Sequence, residues 1–283
     1  MNGPGELTVA DVIEFLEGTH PLAWAEDWDQ VGLAVGDPHA QVQRVLLAVD
    51  PTIAVAEQAA SVPGTLLITH HPLLLRGIHA VTPLTGKGAV ITRLLSAQCA
   101  LWCGHTNVDR SAQGTNAALG DLLDLHNTSP LQPPRSEDTG LVGLGLVGDL
   151  RVAQSVQSLA ARLAEALPRT VQGAKYTGDP HRIARRVALC SGAGDSLLET
   201  ATHTGCDVYI TSDLRHHPAL EHLESCGGGK VPALIDVPHF ASEWMWLPGA
   251  KASLAAFMAE RGLSCPVEVS ELLTDPWTGA ELG

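Results

Sequence analysis

The stretch TLLITHHPLL (residues 65–74) joins a short apolar run to two adjacent histidines and a proline. A short, unbroken apolar run is typical of a strand buried on both faces of a parallel sheet. Side chains alternate between faces along a strand, so His70 and His71 can turn toward one crevice only where the strand ends. In open α/β sheets ligands bind at the carboxyl ends of strands. The stretch therefore predicts a buried parallel strand with a ligand site at its end.

Apolar runs alternate with amphipathic segments on both sides of this stretch. The pattern predicts a first helix over 8–18, a strand over 42–50 and a helix over 51–60 that begins with Pro51. After the histidines it predicts a helix over 88–98, a strand over 100–105 and a helix over 114–125. Strands separated by helices of this length indicate a doubly wound α/β fold with mostly parallel sheets flanked by helices.

A segment rich in Pro, Ser and Asn (127–140) interrupts this alternation and predicts a crossover between domains. Beyond it the pattern continues with strands over 141–150, 185–194, 206–213 and 230–237, and with helices over 151–167, 196–205, 216–225 and 238–262. We predict two interlinked α/β domains. The first is discontinuous (1–126 and 231–283) and contains the metal-binding residues described below, and the second comprises 127–230.

Composition excludes several classes of protein. With 283 residues, 45% of them hydrophobic and 17% charged, the chain is long and apolar enough for a globular core. No apolar run reaches the roughly 20 residues of a membrane helix, and no secretory signal is recognisable at the N-terminus. The net charge of −14, without a basic run, argues against nucleic acid as a partner. Six cysteines without a CxxC pair suit reduced thiols, so we expect a cytoplasmic protein.

Two further predicted strands end in histidine and acidic residues. CGHTNVD contains His105 and Asp109, and DVPHFASE contains His239 and Glu243, which are four residues apart and so share one face of a helix. Each motif alone is more often a loop or a solvated pair, but three such strand ends indicate a metal site. Imidazole and carboxylate without thiolate suit Zn, Fe, Mn, Co or Ni and do not choose among them.

Other residues have plain structural interpretations. We interpret His216 and His217 as a solvated or capping pair at a helix start, with a role in a pocket as the alternative, and Asp213 as the N-cap. The glycines of SGAG (191–194) indicate an ordinary turn, because no complete nucleotide-binding loop accompanies them. Trp28 and Asp29 are consistent either with pocket lining or with structural packing. Trp244 and Trp246 favour core or subunit interface over a substrate platform.

Five ordered motifs carry a resemblance to a known family. ITHHP, GHTNVD and DVPHFASE, together with EDWDQVGL (26–33) and VYITSDLRHHPALEH (208–222), resemble the Nif-three-like proteins, which are named as type-2 homologues of GTP cyclohydrolase I. The resemblance runs from about residue 8 to residue 278 and matches the short form, without the inserted domain of some members. Pro238 departs from the family pattern. Because proline fixes φ and lacks a donor, it puts the approach of His239 in question.

The resemblance implies a dinuclear metal site with two divalent ions per chain. Carried over motif by motif, its ligands are His70, His71, Asp109, His239 and Glu243. Glu243 is the natural bridging carboxylate, and His105 would relay a proton or orient Asp109 as the catalytic residue. The resemblance also implies a toroidal homohexamer.

The function that follows is a metal-dependent hydrolase acting on a small nucleotide-like or heterocyclic substrate. Few basic residues lie near the motifs (Arg76, Lys87, Arg110 and Arg215), which is sparse for a triphosphate. The alternative is a non-catalytic metal-binding, metal-handling or regulatory protein that acts through protein partners.

Overall fold

The structure, a computed structural model, describes residues 6–134, 143–225 and 231–281, which fold as two compact units. The first unit contains the chain up to Val108 and Leu247–Thr274, and the second contains Asp109–Trp246 and the residues from Asp275 onward. These bounds differ from the predicted domains, because 109–126, 231–246 and the residues from 275 onward belong to the second unit. Asp109, His239 and Glu243 therefore belong to the second unit, whereas His70, His71 and His105 belong to the first.

The first unit is built on a sheet with mostly parallel strands. Its helices are α1 (Val9–Thr19), α2 (Ile53–Ala60), α3 (Gly86–Ser96), α4 (Thr106–Asp109, at the boundary) and α10 (Trp246–Glu260). Its strands are β1 (Gly32–Val35), β2 (Arg44–Ala48), β3 (Thr65–Thr69), β4 (Ala100–Cys103) and β11 (Val267–Val269). They are ordered β1-β4-β3-β2-β11 in the described residues, and only β1 runs antiparallel to its neighbour there. The predicted α/β fold is confirmed.

Apolar side chains from helices cover this sheet. In the core, α2 and α3 pack apolar side chains against Leu46, Leu67 and Leu101 of the three central strands. The Thr52 side chain caps the N-terminus of α2, so this helix begins after Pro51 and not with it. Because β2, β3 and β4 are parallel, their carboxyl ends lie at one edge of the sheet.

The second unit contains a mixed sheet. Its helices are α5 (Thr115–Leu122), α6 (Val156–Ala166), α7 (Leu198–His203), α8 (His216–Glu224) and α9 (His239–Trp244). Its strands are β5 (Leu125–Gln132), β6 (Leu144–Ser155), β7 (Lys175–Tyr176), β8 (Ile183–Ala193), β9 (Val208–Ser212) and β10 (Ala233–Asp236). The order within the described residues is β5-β6-β8-β9-β10-β7, in which β8, β9 and β10 are parallel and the other pairs antiparallel.

Three predicted elements differ from the structure. The first part of the predicted crossover (127–140) belongs to strand β5, and 135–142 lie outside the described residues. The predicted helix over 151–167 begins only at Val156, because the preceding residues extend β6 and Ser155 caps the helix. The predicted helix over 238–262 is two helices, α9 and α10. No helix in the described part of the chain has the length and apolar character needed to cross a membrane.

Candidate metal-binding site

Three histidines of the first unit lie together at the carboxyl edge of its parallel strands. His70 and His71 follow β3, and His105 follows β4. Their ring centroids are 5.1 Å (His70–His71), 5.3 Å (His70–His105) and 5.6 Å (His71–His105) apart. One ring nitrogen of each lies within 4.8 Å of the others, so the three imidazoles can contribute ligands to a metal ion.

Oxygen acceptors fix the ring orientation of His70 and His71. The buried His70 donates from Nδ1 to the carbonyl oxygen of Gly104 at 2.9 Å. Because a carbonyl cannot donate, Nδ1 carries the hydrogen and the lone pair of the neutral ring is on Nε2. His71 Nδ1 lies 2.6 Å from Asp50 Oδ1, and the other oxygen of Asp50 accepts a hydrogen bond from the Thr274 hydroxyl. In both histidines Nε2 is therefore the ring nitrogen that could bind a metal ion.

Asp29 holds the third imidazole in the same way. Its Oδ1 lies 2.9 Å from His105 Nδ1, and its Oδ2 accepts hydrogen bonds from the Thr106 backbone at 3.0 Å and the Thr106 hydroxyl at 2.5 Å. Burial alone would raise the pKa of Asp29, but the hydrogen bonds and the charge of His105 outweigh it and lower the pKa to about 2. Asp29 is therefore an ionised acceptor, and its role is to orient His105.

The second unit brings His239 and Glu243 together on one face of α9. His239 Nε2 lies 2.9 Å from Glu243 Oε1, and Glu243 is only 3% exposed. His239 Nδ1 lies 2.7 Å from Asp213 Oδ2. With the hydrogen on Nδ1, the Nε2 lone pair faces a carboxylate oxygen, and this contact is favourable only if a proton or a cation lies between them. The pair therefore fits a divalent cation.

The prediction that Asp213 caps α8 is wrong. The helix begins at His216 with Arg215 in the N-cap position, two residues after Asp213. Asp213 has a φ of 54°, in the left-handed region that aspartate tolerates better than most residues. A hydrogen bond from His239, followed by the charge of that ring, lowers the pKa of Asp213. Asp213 is thus an ionised acceptor for the imidazole.

Pro238 does not disturb the approach of His239. It is the N-cap of α9 with a φ of −60°, close to the value that the proline ring imposes. Its carbonyl accepts the Ser242 backbone N–H at 3.0 Å, and the Ser242 hydroxyl donates to the carbonyl of His239 at 2.8 Å. The first turn of α9 is therefore well formed, with His239 at its start.

Asp109 is held by the first turn of α5 and the end of β8. Thr115 Oγ1 donates to Asp109 Oδ1 at 2.5 Å, and Asn116 Nδ2 donates to the Asp109 carbonyl at 2.9 Å. Ser191 in turn donates from its backbone to Asn116 Oδ1 and from its hydroxyl to Thr115 Oγ1, both at 2.8 Å. The orientation of Asp109 therefore depends on the end of strand β8.

The same strand end determines the place of Glu243. A Cβ added to Gly192 would lie 2.4 Å from Glu243 Oε1 and 3.3 Å from His239 Nε2. Gly192 also has a φ of 67°, which side-chain-bearing residues rarely adopt. SGAG is therefore more than an ordinary turn, because its first glycine gives the Glu243 carboxylate its space. The sequence signal was a glycine at the end of a buried strand.

Cys190 lies near both carboxylates but does not act as a thiolate. Burial raises the pKa of its thiol above the usual range, and the charges of Asp109 and Glu243 raise it further. Without a metal ion nearby, the thiol is therefore protonated at neutral pH.

The structure agrees with the structural roles expected for the His216–His217 pair and for Trp244 and Trp246. His216 and His217 are exposed at the start of α8, with ring centroids 5.2 Å apart. Trp246 is 1% exposed and belongs to the core, and Trp244 is half-buried.

A cavity of about 290 Å³ in the second unit lies beside Asp109. Its charged lining residues are Asp109, Asp121 and the buried Arg110. Of the other basic residues near the motifs, Arg215 is paired with Asp195, and Lys87 donates to the carbonyl of Arg76. A triphosphate would meet two carboxylates and one guanidinium in this cavity, so the cavity does not favour such a ligand.

Sequence comparison relates the chain to one family. The family model described as Duf34/NIF3 (NGG1p interacting factor 3) matches residues 7–276. A Streptomyces coelicolor protein named "GTP cyclohydrolase 1 type 2 homolog" is 42% identical over 270 residues, which are 95% of this chain and 93% of that protein. A Drosophila melanogaster protein named "NIF3-like protein 1" is 30% identical over 272 residues, covering 95% of this chain and 88% of that one.

Comparison with solved structures agrees with the sequence comparison. The crystal structure of a Staphylococcus aureus hypothetical protein matches with a TM-score of 0.87 and 26% identity, covering 97% of this chain and all of the other. The crystal structure of a Bacillus cereus protein related to NIF3 has the same fold, with a TM-score of 0.87 at 20% identity, covering 97% of this chain and 99% of the other.

Proposed function

The chain belongs to the Duf34/NIF3 family, and on that premise we propose that it is a dinuclear metal-dependent hydrolase. Two divalent ions per chain would be held by His70, His71, Asp109, His239 and Glu243, with His105 as the catalytic residue.

The observation that carries this proposal is the shared hydrogen bonding of four imidazoles. His70 donates from Nδ1 to a carbonyl, and His71, His105 and His239 have Nδ1 within 2.9 Å of a carboxylate oxygen. Histidines that bind metals through Nε2 characteristically donate their other ring N–H to a carboxylate or carbonyl. A structural histidine needs no such uniform orientation.

Glu243 and His105 take different roles. Glu243 has two oxygens and lies in a space that Gly192 leaves open, which suits a bridging carboxylate. His105 holds its proton at Nδ1 against Asp29, so its Nε2 can accept a proton from water or return it to a leaving group. The five proposed ligands would hold ions that supply Lewis-acid chemistry at this site.

The proposed substrate is a small nucleotide-like or heterocyclic molecule. Relatives over most of the chain are named homologues of GTP cyclohydrolase 1 type 2, which supports a nucleotide-related substrate. The mixed charges around the cavity beside Asp109 argue against a triphosphate as the part that is recognised.

Metal analysis is the first test. We expect close to two divalent ions per chain by elemental analysis after loading with Zn, Mn or Fe. His71→Ala should lose metal and abolish turnover with an unchanged far-UV circular dichroism spectrum, because His71 lies beyond the end of its strand. His217→Ala is the control, since it removes an exposed imidazole and should change neither quantity. Wild-type protein that binds no metal would refute the proposal.

A hydrolysis screen then separates the enzyme from the alternative, a metal-handling or regulatory protein. The screen uses nucleotides, phosphoesters and heterocycles with each metal restored. Metal-dependent turnover of any substrate supports the enzyme. Protein that holds two ions and turns over nothing supports the metal-handling protein instead.

Assembly is a separate expectation, and we propose the family's toroidal homohexamer. Large apolar side chains at Val81, Leu84 and Leu95 of the first unit are more than half exposed and would be covered in an oligomer. Trp246 does not contribute, because it is buried within its own chain. Light scattering should give the mass of six chains, and a stable monomer at micromolar concentration would contradict this expectation.

A further inference from the structure

The feature that the hydrolase proposal leaves unused is Trp28. Its indole is 59% exposed, although tryptophan is among the residues that gain most from burial. It lies edge-on to the His105 ring, with ring centroids 5.9 Å apart and an interplanar angle of 78°. A large aromatic surface thus lies in solvent at the border of the three-histidine group.

The loop that carries this indole is firmly anchored. Asp29, the next residue, is buried and bonded to His105 and Thr106. The Glu26 backbone N–H donates to Thr106 Oγ1 at 2.9 Å, and the Asp29 N–H closes a turn onto the Glu26 carbonyl at 2.9 Å. An aromatic side chain on a preordered loop loses little conformational entropy when a ligand stacks on it.

The charge of the loop decides which part of a nucleotide-like ligand it can bind. Glu26, Asp27 and Asp29 are acidic, and the chain contains no lysine or arginine before Arg44. The loop itself therefore offers a phosphate no cationic partner, whereas a neutral planar ring needs none. Gln30 is exposed in the same loop and offers an amide that can hydrogen-bond to the edge of such a ring.

From these observations we infer that Trp28 is a stacking platform for the planar heterocycle of the substrate, next to His105. This inference rests on the proposed hydrolase, because it names the residue that recognises the substrate's ring. The phosphate or sugar end of the substrate would be bound elsewhere.

The test measures binding of guanosine, a nucleoside without phosphate, to the metal-loaded full chain by calorimetry. Base–aromatic stacking corresponds to a change in Kd of about 5-fold to 150-fold. Trp28→Ala should weaken guanosine binding by that factor, and Trp28→Phe should restore most of it because the ring is kept. Binding of ribose 5-phosphate should be unaffected in both variants. Trp277→Ala removes an indole of equal exposure, 59%, and should leave guanosine binding unchanged.

Several results would overturn the platform. They are unchanged guanosine affinity in Trp28→Ala, an equal loss in Trp277→Ala, and wild-type protein that binds none of guanosine, adenosine and cytidine. Loss of metal or a change of oligomer mass in Trp28→Ala would also overturn it, because the indole would then support the metal site or a subunit interface. Metal content and turnover of the wild type are measured on the same samples. The wild type could bind guanosine through Trp28 but hold no metal and turn over no substrate. That result would support the stacking platform and refute the proposed hydrolase.

Discussion

Glu243→Gln is expected to lose at least one of the two proposed ions and all metal-dependent turnover. Glutamine has nearly the shape of glutamate, so it fits the space beside Gly192 and the fold should persist. An amide, however, has one oxygen and no charge, and it cannot bridge two cations as a carboxylate does. Elemental analysis of the loaded variant, together with its far-UV circular dichroism spectrum, measures both effects.

The matched control for this change is Glu221→Gln. Glu221 is exposed on α8 of the same unit, so the substitution removes the same charge without touching the proposed ligands. It should keep the metal content and turnover of the wild type. A Glu243→Gln protein that retains both ions and its activity would show that Glu243 does not bridge.

Gly192→Ala is expected to reduce metal affinity although it changes no ligand. The new Cβ would lie 2.4 Å from Glu243 Oε1, a separation that real Cβ atoms do not show, so the carboxylate has to move. Displacing the support of a ligand commonly weakens metal binding by roughly 10-fold to 100-fold. The left-handed φ of 67° adds about 1–2 kcal/mol of backbone strain for alanine. Metal titration and thermal unfolding of the apoprotein measure the two effects separately.

Gly205→Ala isolates the backbone strain from the steric clash. Gly205 has a φ of 68°, and a Cβ there would meet nothing within 4 Å. Both alanine variants should therefore show a similar loss of stability, but only Gly192→Ala should lose metal affinity. Equal metal affinity in the two variants would mean that Glu243 is not a ligand or can move without consequence.

The parallel core was predictable because its pattern is local. Each of the strands β2, β3 and β4 contains a run of three or four apolar residues, and every residue of each strand is buried. The predicted ends of these three strands lie within two residues of their ends in the structure. The short strands β1, β7 and β11 were missed. Strands β7 and β11 have only two and three residues, and the four residues of β1 include a glycine and an alanine, so none of them shows a recognisable apolar pattern.

The grouping of the candidate site residues was predictable within each unit. His70, His71 and His105 follow neighbouring parallel strands, whose carboxyl ends share one edge, and the structure brings these three imidazoles together. His239 and Glu243 share a face of α9 as their four-residue spacing requires. The bounds of the two units were not predictable, because β10 joins the second sheet by pairing with β9.

The sequence by itself determined the types of candidate site residue and their positions at strand ends, since residue identity and apolar periodicity are properties of neighbouring residues. Only the tertiary structure decided how each candidate side chain is oriented. Asp29 binds His105 across 76 positions, and Asp213 binds His239 across 26. Gly192 makes room for Glu243, 51 positions further along the chain. Such contacts leave no periodic trace, because they depend on which strands become neighbours in the sheet and not on the order of residues along the chain.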